Sequence, residues 1–157
     1  MSLEKIYLTK PKLTDIPSMQ SIVQEYVKNG IILPRSDDEI ATNIRSYTLA
    51  LVDGELAGYV ALHIHSQTLA EIRSLIVQDR FRGLGIGKEL VRRALEEARE
   101  LGVKEVLSLT YSKEFFQKLG FEEIEKEKIP EHKIWQDCIK CIHFPVCNEV
   151  AMMKTIS

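Results

Sequence analysis

Apolar residues change their spacing several times along the chain, and each change marks an element. Ile16, Met19, Ile22, Val23, Tyr26 and Val27 recur at steps of three and four. That is the stripe of an amphipathic helix, opening at Thr14-Asp15 with Pro17 in its first turn and stopping at Asn29-Gly30. Ahead of it, Lys5 to Thr9 alternates and predicts a strand. Ser36-Asp37-Asp38-Glu39 has the form of a capping box, in which Ser36 and Glu39 satisfy each other's free backbone donors, so a second helix is predicted to about Ser46. Tyr47 to Val52 and Glu55 to His63 are β-rich and flank Asp53-Gly54, a two-residue hairpin signal. Leu69 to Val77 is a third run of strand length and completes an antiparallel meander.

The second half alternates. Gly85 to Leu101 predicts a long helix with core positions Ile86, Leu90, Val91, Ala94, Leu95 and Ala98, closed by Gly102. Val106 to Thr110 predicts a central strand, Glu114 to Leu119 a short helix closed by Gly120, Phe121 to Ile129 a strand, and Glu149 to Ile156 a last one. The order is β-α-α-β-β-β-α-β-α-β, an insertion over about 130–148, then β. This implies an α/β fold, a mixed central β-sheet flanked by helices.

Composition narrows the function classes. At 157 residues, 45% hydrophobic and 28% charged, the chain reads as one ordinary globular domain spanning 1–157. A formal net charge of −2 offers no basic field for nucleic acid or for an anionic membrane, which favours a small-molecule or protein partner. No apolar run approaches a membrane span and Met1 to Lys5 has no signal-peptide form, so a cytoplasmic location is expected. A homodimer is compatible with the chain, and nothing in the sequence selects it.

The segment that carries chemistry is Val77-Gln78-Asp79-Arg80-Phe81-Arg82-Gly83-Leu84-Gly85-Ile86-Gly87-Lys88, which joins a buried strand to a long helix. Glycines allow close backbone approach, and the first amides of a helix point at whatever sits above them. With the helix dipole and the charges of Arg82 and Lys88, this is a cradle for a diphosphate. The plain alternative is a tight turn carrying solvated basic residues. A dinucleotide fold would place its glycines in a first β-α unit, whereas three antiparallel strands precede them here. A nucleotidase-type loop needs Ser or Thr after Gly87-Lys88, and Glu89 stands there.

Arg82-Gly83-Leu84-Gly85-Ile86-Gly87 matches the Gln/Arg-x-x-Gly-x-Gly/Ala signature of the GCN5-related N-acetyltransferase (GNAT) family, which the chain resembles over nearly its whole length. Phe116 to Phe121 is similar to the family's later helix-to-strand motif. The resemblance implies acetyl-CoA in a gap where strands 69–77 and 106–110 splay apart, with backbone groups of Leu75, Ile76 and Val77 meeting its pantetheine and acetyl portions. It also implies a small-molecule or peptide amine as acceptor. Glu71 lies where the family often keeps a base, commonly acting through water; the alternative is a solvent-facing strand carboxylate. The family's usual tyrosine acid falls at Phe116. Either Tyr111 replaces it or the thiolate leaves unaided, and a thiol pKa near about 8.5 favours the second.

Leu33-Pro34-Arg35-Ser36, Ala70-Glu71-Ile72-Arg73-Ser74-Leu75 and Leu109-Thr110 with Phe115-Phe116 resemble the acetyltransferase domain of N-acetylglutamate synthases, especially the short forms. A dicarboxylate acceptor needs two cationic anchors, and guanidinium groups bind carboxylates bidentately. Arg35 and Arg73 are the candidates, with Tyr111 beside them. Alternation puts Arg73 on the face of Glu71, where an internal salt bridge is the competing reading. A protein N-terminal acetyltransferase and a non-catalytic acetyl-CoA sensor are the other functions open to this chain. Cys138, Cys141 and Cys147 with His143 could hold a structural zinc, or could simply pack the insertion.

Overall fold

The computed structural model describes residues 5–30, 32, 34–125, 128–129 and 150–156. Its elements follow the expected order: β1 (Ile6–Thr9), α1 (Ile16–Lys28), α2 (Asp37–Thr42), β2 (Tyr47–Val52), β3 (Glu55–Ile64), β4 (Leu69–Val77), α3 (Ile86–Leu101), β5 (Glu105–Thr110), α4 (Lys113–Lys118), β6 (Glu122–Ile124) and β7 (Val150–Thr155). The capping box forms as expected, with Glu39 N–H donating to Ser36 Oγ at 3.1 Å. Asp53 and Gly54 both take positive φ, 51° and 83°, as the two-residue hairpin requires. Two expectations change. The second helix ends at Thr42 and gives way to a separate 3-10 turn over Ile44–Ser46. The strand expected from Phe121 to Ile129 ends at Ile124, and residues 126 and 127 lie outside the described ones.

The seven strands make one sheet in the order β1-β2-β3-β4-β5-β7-β6. Helix α3 lies on one face, where Ile86, Leu90, Val91, Ala94, Leu95 and Ala98 pack with Val60, Leu62, Ile72 and Val106. Each such large side chain contributes roughly 1.5–3 kcal/mol by leaving water. Helix α1 covers the other face, packing Ile16, Met19 and Val23 against Tyr47, Leu49, Tyr59, Ala61 and Ile76.

The strands β4 and β5 run parallel but pair only at Leu69 with Glu105, Ala70 with Val106 and Glu71 with Leu107. Beyond Glu71 the described ladder ends and the sheet opens. Just past this point β4 carries a bulge: Tyr59 faces Ile76 and Ala61 faces Arg73, so β4 spends one extra residue opposite Val60. Ser74 absorbs it with φ 53°, an uncommon conformation for a residue with a side chain. The bulge reverses the alternation. Glu71 and Arg73 share the α1 face, while Leu75 and Val77 turn to the α3 core and Ile76 to the α1 side.

Gly58 makes this geometry possible. A Cβ there would overlap the Ile76 carbonyl oxygen and sit 3.1 Å from Val77 Cα. Because the obstacle is backbone, Gly58→Ala should destabilise the protein by about 3 kcal/mol, at the upper end of overpacking costs, and weaken acetyl-CoA binding as well. Urea unfolding of the variant checks this; unchanged stability would mean that β3 and β4 can move apart freely.

Candidate active site

The turn after β4 is a short 3-10 segment, Asp79–Phe81, anchored by the buried Phe81 ring. The Arg80 guanidinium lies 4.4 Å over that ring and pairs with Glu55. Gly83 and Gly85 then take φ values of 87° and 80°, and Gly85 is the N-cap of α3. No side chain caps this end, and the first internal bond of the helix runs from Glu89 N–H to Gly85 O at 3.1 Å. The amides of Ile86, Gly87 and Lys88 are therefore directed outward from the helix start. This is the segment expected to cradle an anion, and Leu84 is exposed beside it. The third glycine differs: Gly87 has no left-handed φ, and a Cβ there would make ordinary contact with the Phe115 ring at 3.4 Å.

Arg82 is more engaged than its sequence position suggests. Its Nε donates to Asp79 Oδ1 at 2.8 Å and its Nη2 to the Tyr26 hydroxyl at 3.1 Å. Those hydrogen bonds, Tyr26's first, hold the guanidinium in its charged form. The same Tyr26 hydroxyl donates to the Val77 carbonyl at 2.7 Å. One side chain of α1 thus ties the end of β4 to the cradle. The sequence marked Tyr26 only as a member of the helical stripe; its hydroxyl was the overlooked signal.

Glu71 occupies the last paired position before β4 and β5 diverge. It is not a solvent-facing carboxylate: the residue is only 4% exposed. Arg73 Nε donates to its Oε1 at 2.8 Å, so the competing salt-bridge reading of Arg73 is realised. His65 Nε2 lies 2.9 Å from the same oxygen, and His63 packs edge-on against His65 with centroids 4.6 Å apart. Neither histidine was singled out from sequence.

On the same face Tyr47 and Tyr59 are buried, with rings in edge contact at 5.6 Å. Burial pushes the Tyr47 hydroxyl up from its ordinary pKa, while the fields of Arg35 and Arg73 act against that shift and Glu39 adds to it. Burial raises Tyr59 further, with Tyr47 adding and Arg35 opposing. Arg35 comes from the loop before α2, held there by Gln20, whose amide donates to the Arg35 carbonyl at 2.8 Å and to Asp37 Oδ1 at 3.0 Å. Two guanidinium groups from separate elements therefore act on one tyrosine pair.

Phe116, at the position of the usual tyrosine acid, is 2% exposed and wedged between Phe115 and Phe121. Tyr111 follows β5 and is partly exposed. Cys138, Cys141, Cys147 and His143 lie outside the described residues. Among the described residues no group of three or more His, Cys, Asp or Glu is placed to hold a metal, and no helix is long and apolar enough to cross a membrane.

Residues 16–121 match the model of the acetyltransferase (GNAT) family. An uncharacterized N-acetyltransferase of Chlorobaculum tepidum is 41% identical over 145 residues, covering 92% of this chain and 93% of that protein. The amino-acid acetyltransferase of Mycobacterium tuberculosis is 32% identical over 119 residues, covering 74% of this chain and 68% of its own length. Among solved structures, N-acetylglutamate synthase from Neisseria gonorrhoeae, complexed with coenzyme A and N-acetyl-glutamate, superposes with a TM-score of 0.86 at 22% identity. It is matched over 98% of this chain and 35% of that one. The chain belongs to the GNAT family and is an acetyl-CoA-dependent N-acetyltransferase.

Proposed function

We propose that the acceptor is free L-glutamate, acetylated on its α-amino group as in the first step of arginine biosynthesis. The observation that carries this reading is that two guanidiniums from separate elements, Arg35 of the loop before α2 and Arg73 beside Glu71 on β4, both act electrostatically on the buried Tyr47. A dicarboxylate is the substrate class that two separated guanidiniums recognise. Arg35 lies 3.8 Å from Glu39 Oε2, a loose ion pair that a substrate carboxylate can replace. The names of the relatives support the same reading: several are amino-acid acetyltransferases, and the gonococcal synthase was solved with N-acetyl-glutamate.

In this reaction Glu71 takes the proton that the ammonium must lose before its nitrogen attacks the thioester carbonyl. The cradle from Arg82 to Lys88 holds the pyrophosphate, and the backbone of Leu75, Ile76 and Val77 faces the pantetheine and acetyl portions. Phe116 has no proton to give, so the CoA thiolate leaves unaided, as a thiol pKa near about 8.5 permits.

Arg35→Gln tests the acceptor. A charge-assisted carboxylate contact is worth about 1.5–3 kcal/mol, so the KM for glutamate should rise roughly 10- to 100-fold while acetyl-CoA affinity stays put. Thiol release measured over a panel of free amino acids and peptide N-termini reads the result. Turnover of peptides in preference to glutamate would replace this acceptor with a protein terminus.

A further inference from the structure

Past the last described pair between β4 and β5, the backbone of β4 loses its neighbour on one side, and a side chain of α1 takes that place. Gln78 N–H donates to Ala57 O at 2.7 Å, so by the alternation of a strand the polar groups of Val77 point away from β3, toward the opening. No described strand pairs with the Val77 carbonyl on that side, and a backbone acceptor left unmet away from water is costly. Tyr26 meets it: its hydroxyl donates to Val77 O at 2.7 Å. The hydroxyl then has no second hydrogen to give, and its oxygen accepts from Arg82 Nη2 at 3.1 Å.

The placement of Tyr26 does not depend on that hydroxyl. It stands in the last turn of α1, on the stripe that packs Met19 and Val23 against the sheet, and its ring extends this packing. Its backbone is pinned as well, because Ile32 N–H donates to Tyr26 O at 3.2 Å. On the other side, Arg82 Nε donates to Asp79 Oδ1 at 2.8 Å, so the guanidinium is gripped at both ends although the side chain is 62% exposed. An exposed arginine left to itself samples many rotamers, and ordering it on a ligand costs affinity. Here the ordering is already done. Two of its five N–H donors are engaged, and the others have no partner among the described residues, one position before the left-handed Gly83.

Resting on the reading of Arg82 to Lys88 as the pyrophosphate cradle, we propose that Tyr26 is a positioning residue for acetyl-CoA: its hydroxyl presets the Arg82 guanidinium before the phosphates arrive. The bonds run in one direction, from Arg82 to the Tyr26 oxygen and from the Tyr26 hydrogen to the Val77 carbonyl. Val77 thereby turns the hydroxyl so that its oxygen faces the guanidinium, and each bond polarises the next. The rotamer freedom of Arg82 is lost on folding instead of on binding, which is the meaning of preorganisation. Tyr26 touches no reacting atom in this scheme and moves no proton. It acts on cofactor affinity and leaves the acetyl-transfer step alone.

Tyr26→Phe removes one oxygen and keeps the packed ring, so the variant folds on the same contacts. Acetyl-CoA affinity is measured by calorimetry with no amine present, for Tyr26→Phe, Arg82→Gln and the double variant. Tyr26→Phe should weaken binding about five- to tenfold, and Arg82→Gln about tenfold or more. The double variant should match Arg82→Gln within about twofold, because a clamp with nothing to hold adds nothing. In Tyr26→Phe, kcat at saturating acetyl-CoA should stay within about twofold of wild type. A tyrosine that only fastens α1 to the sheet predicts something else: lower stability in urea at unchanged affinity. Wild-type or tighter binding in Tyr26→Phe beside a weakened Arg82→Gln would overturn the positioning role and leave the cradle, as would losses that simply add in the double variant. Wild-type affinity in a folded Arg82→Gln would remove Arg82 from the cradle itself, and the proposal with it.

Discussion

Glu71→Gln should lower kcat about a hundredfold, within the range that a positioned base contributes, while acetyl-CoA affinity stays within about twofold. The carboxylate stands where the β4 and β5 ladder ends, on the face opposite the α3 core, so its loss touches the acceptor side and leaves the cradle alone. The deficit should shrink from about pH 7 to about pH 10 as more of the amine arrives unprotonated. Glutamine also leaves Arg73 beside a neutral amide, and removing one partner of a buried pair costs about 3–5 kcal/mol. Glu71→Asp is therefore the companion variant: it keeps the charge but withdraws the oxygens by one methylene. Steady-state thiol release across the pH range is the measurement. Wild-type turnover in a folded glutamine variant at every pH would remove Glu71 from the chemistry.

Gly85→Glu should reduce acetyl-CoA affinity by more than about a hundredfold, the largest effect expected at the cofactor site. Space is not the reason, because a Cβ on Gly85 meets nothing within 4 Å. Two other effects act together. The left-handed φ of 80° costs a non-glycine residue about 1–2 kcal/mol, and a carboxylate at the start of α3 competes with the pyrophosphate for the same amides and for Arg82 and Lys88. Gly85→Asn separates them, since asparagine tolerates the left-handed region and carries no charge; it should lose far less affinity. Calorimetric titration reads both variants. Equal affinities for wild type and a folded glutamate variant would show that the phosphates bind elsewhere.

Most of the scaffold was legible because its signals are local. The stripe of α1, the Ser36 box, the Asp53-Gly54 turn and the glycine segment before α3 each depend on neighbours within a few residues. The strand expected to run to Ile129 stops at Ile124 because an apolar run measures β-propensity, while strand length is set by the partner, and among the described residues β6 pairs with β7 from Glu122 to Ile124. The site was legible in part for the same reason. Arg82 to Gly87 form one continuous turn and could be read together, but the surroundings of Glu71 come from separate strands. Strict alternation gives no warning of the Ser74 bulge, so the sides taken by Leu75, Ile76 and Val77 could not be read off. His65 looked like a turn residue, and only the folded hairpin brings it onto Glu71. Gly58 looked like a weak point in a strand, although the close approach of the Ile76 carbonyl demands it.

The short ladder between β4 and β5 also has a mechanical meaning. Strands β1 to β4 form one leaf and β5, β7 and β6 another, sewn together in the described sheet by three residue pairs at one end. Such a seam acts as a hinge, and the leaves beyond it are free to breathe in a way that strands paired along their full length are not. A ligand lying in the opening bridges both leaves, so part of its binding energy becomes stiffness of the whole sheet. Amide exchange should therefore slow on binding in β5 and β7, as well as in the loop proposed to hold the phosphates, because the motion that exposes those strands is the opening of the hinge.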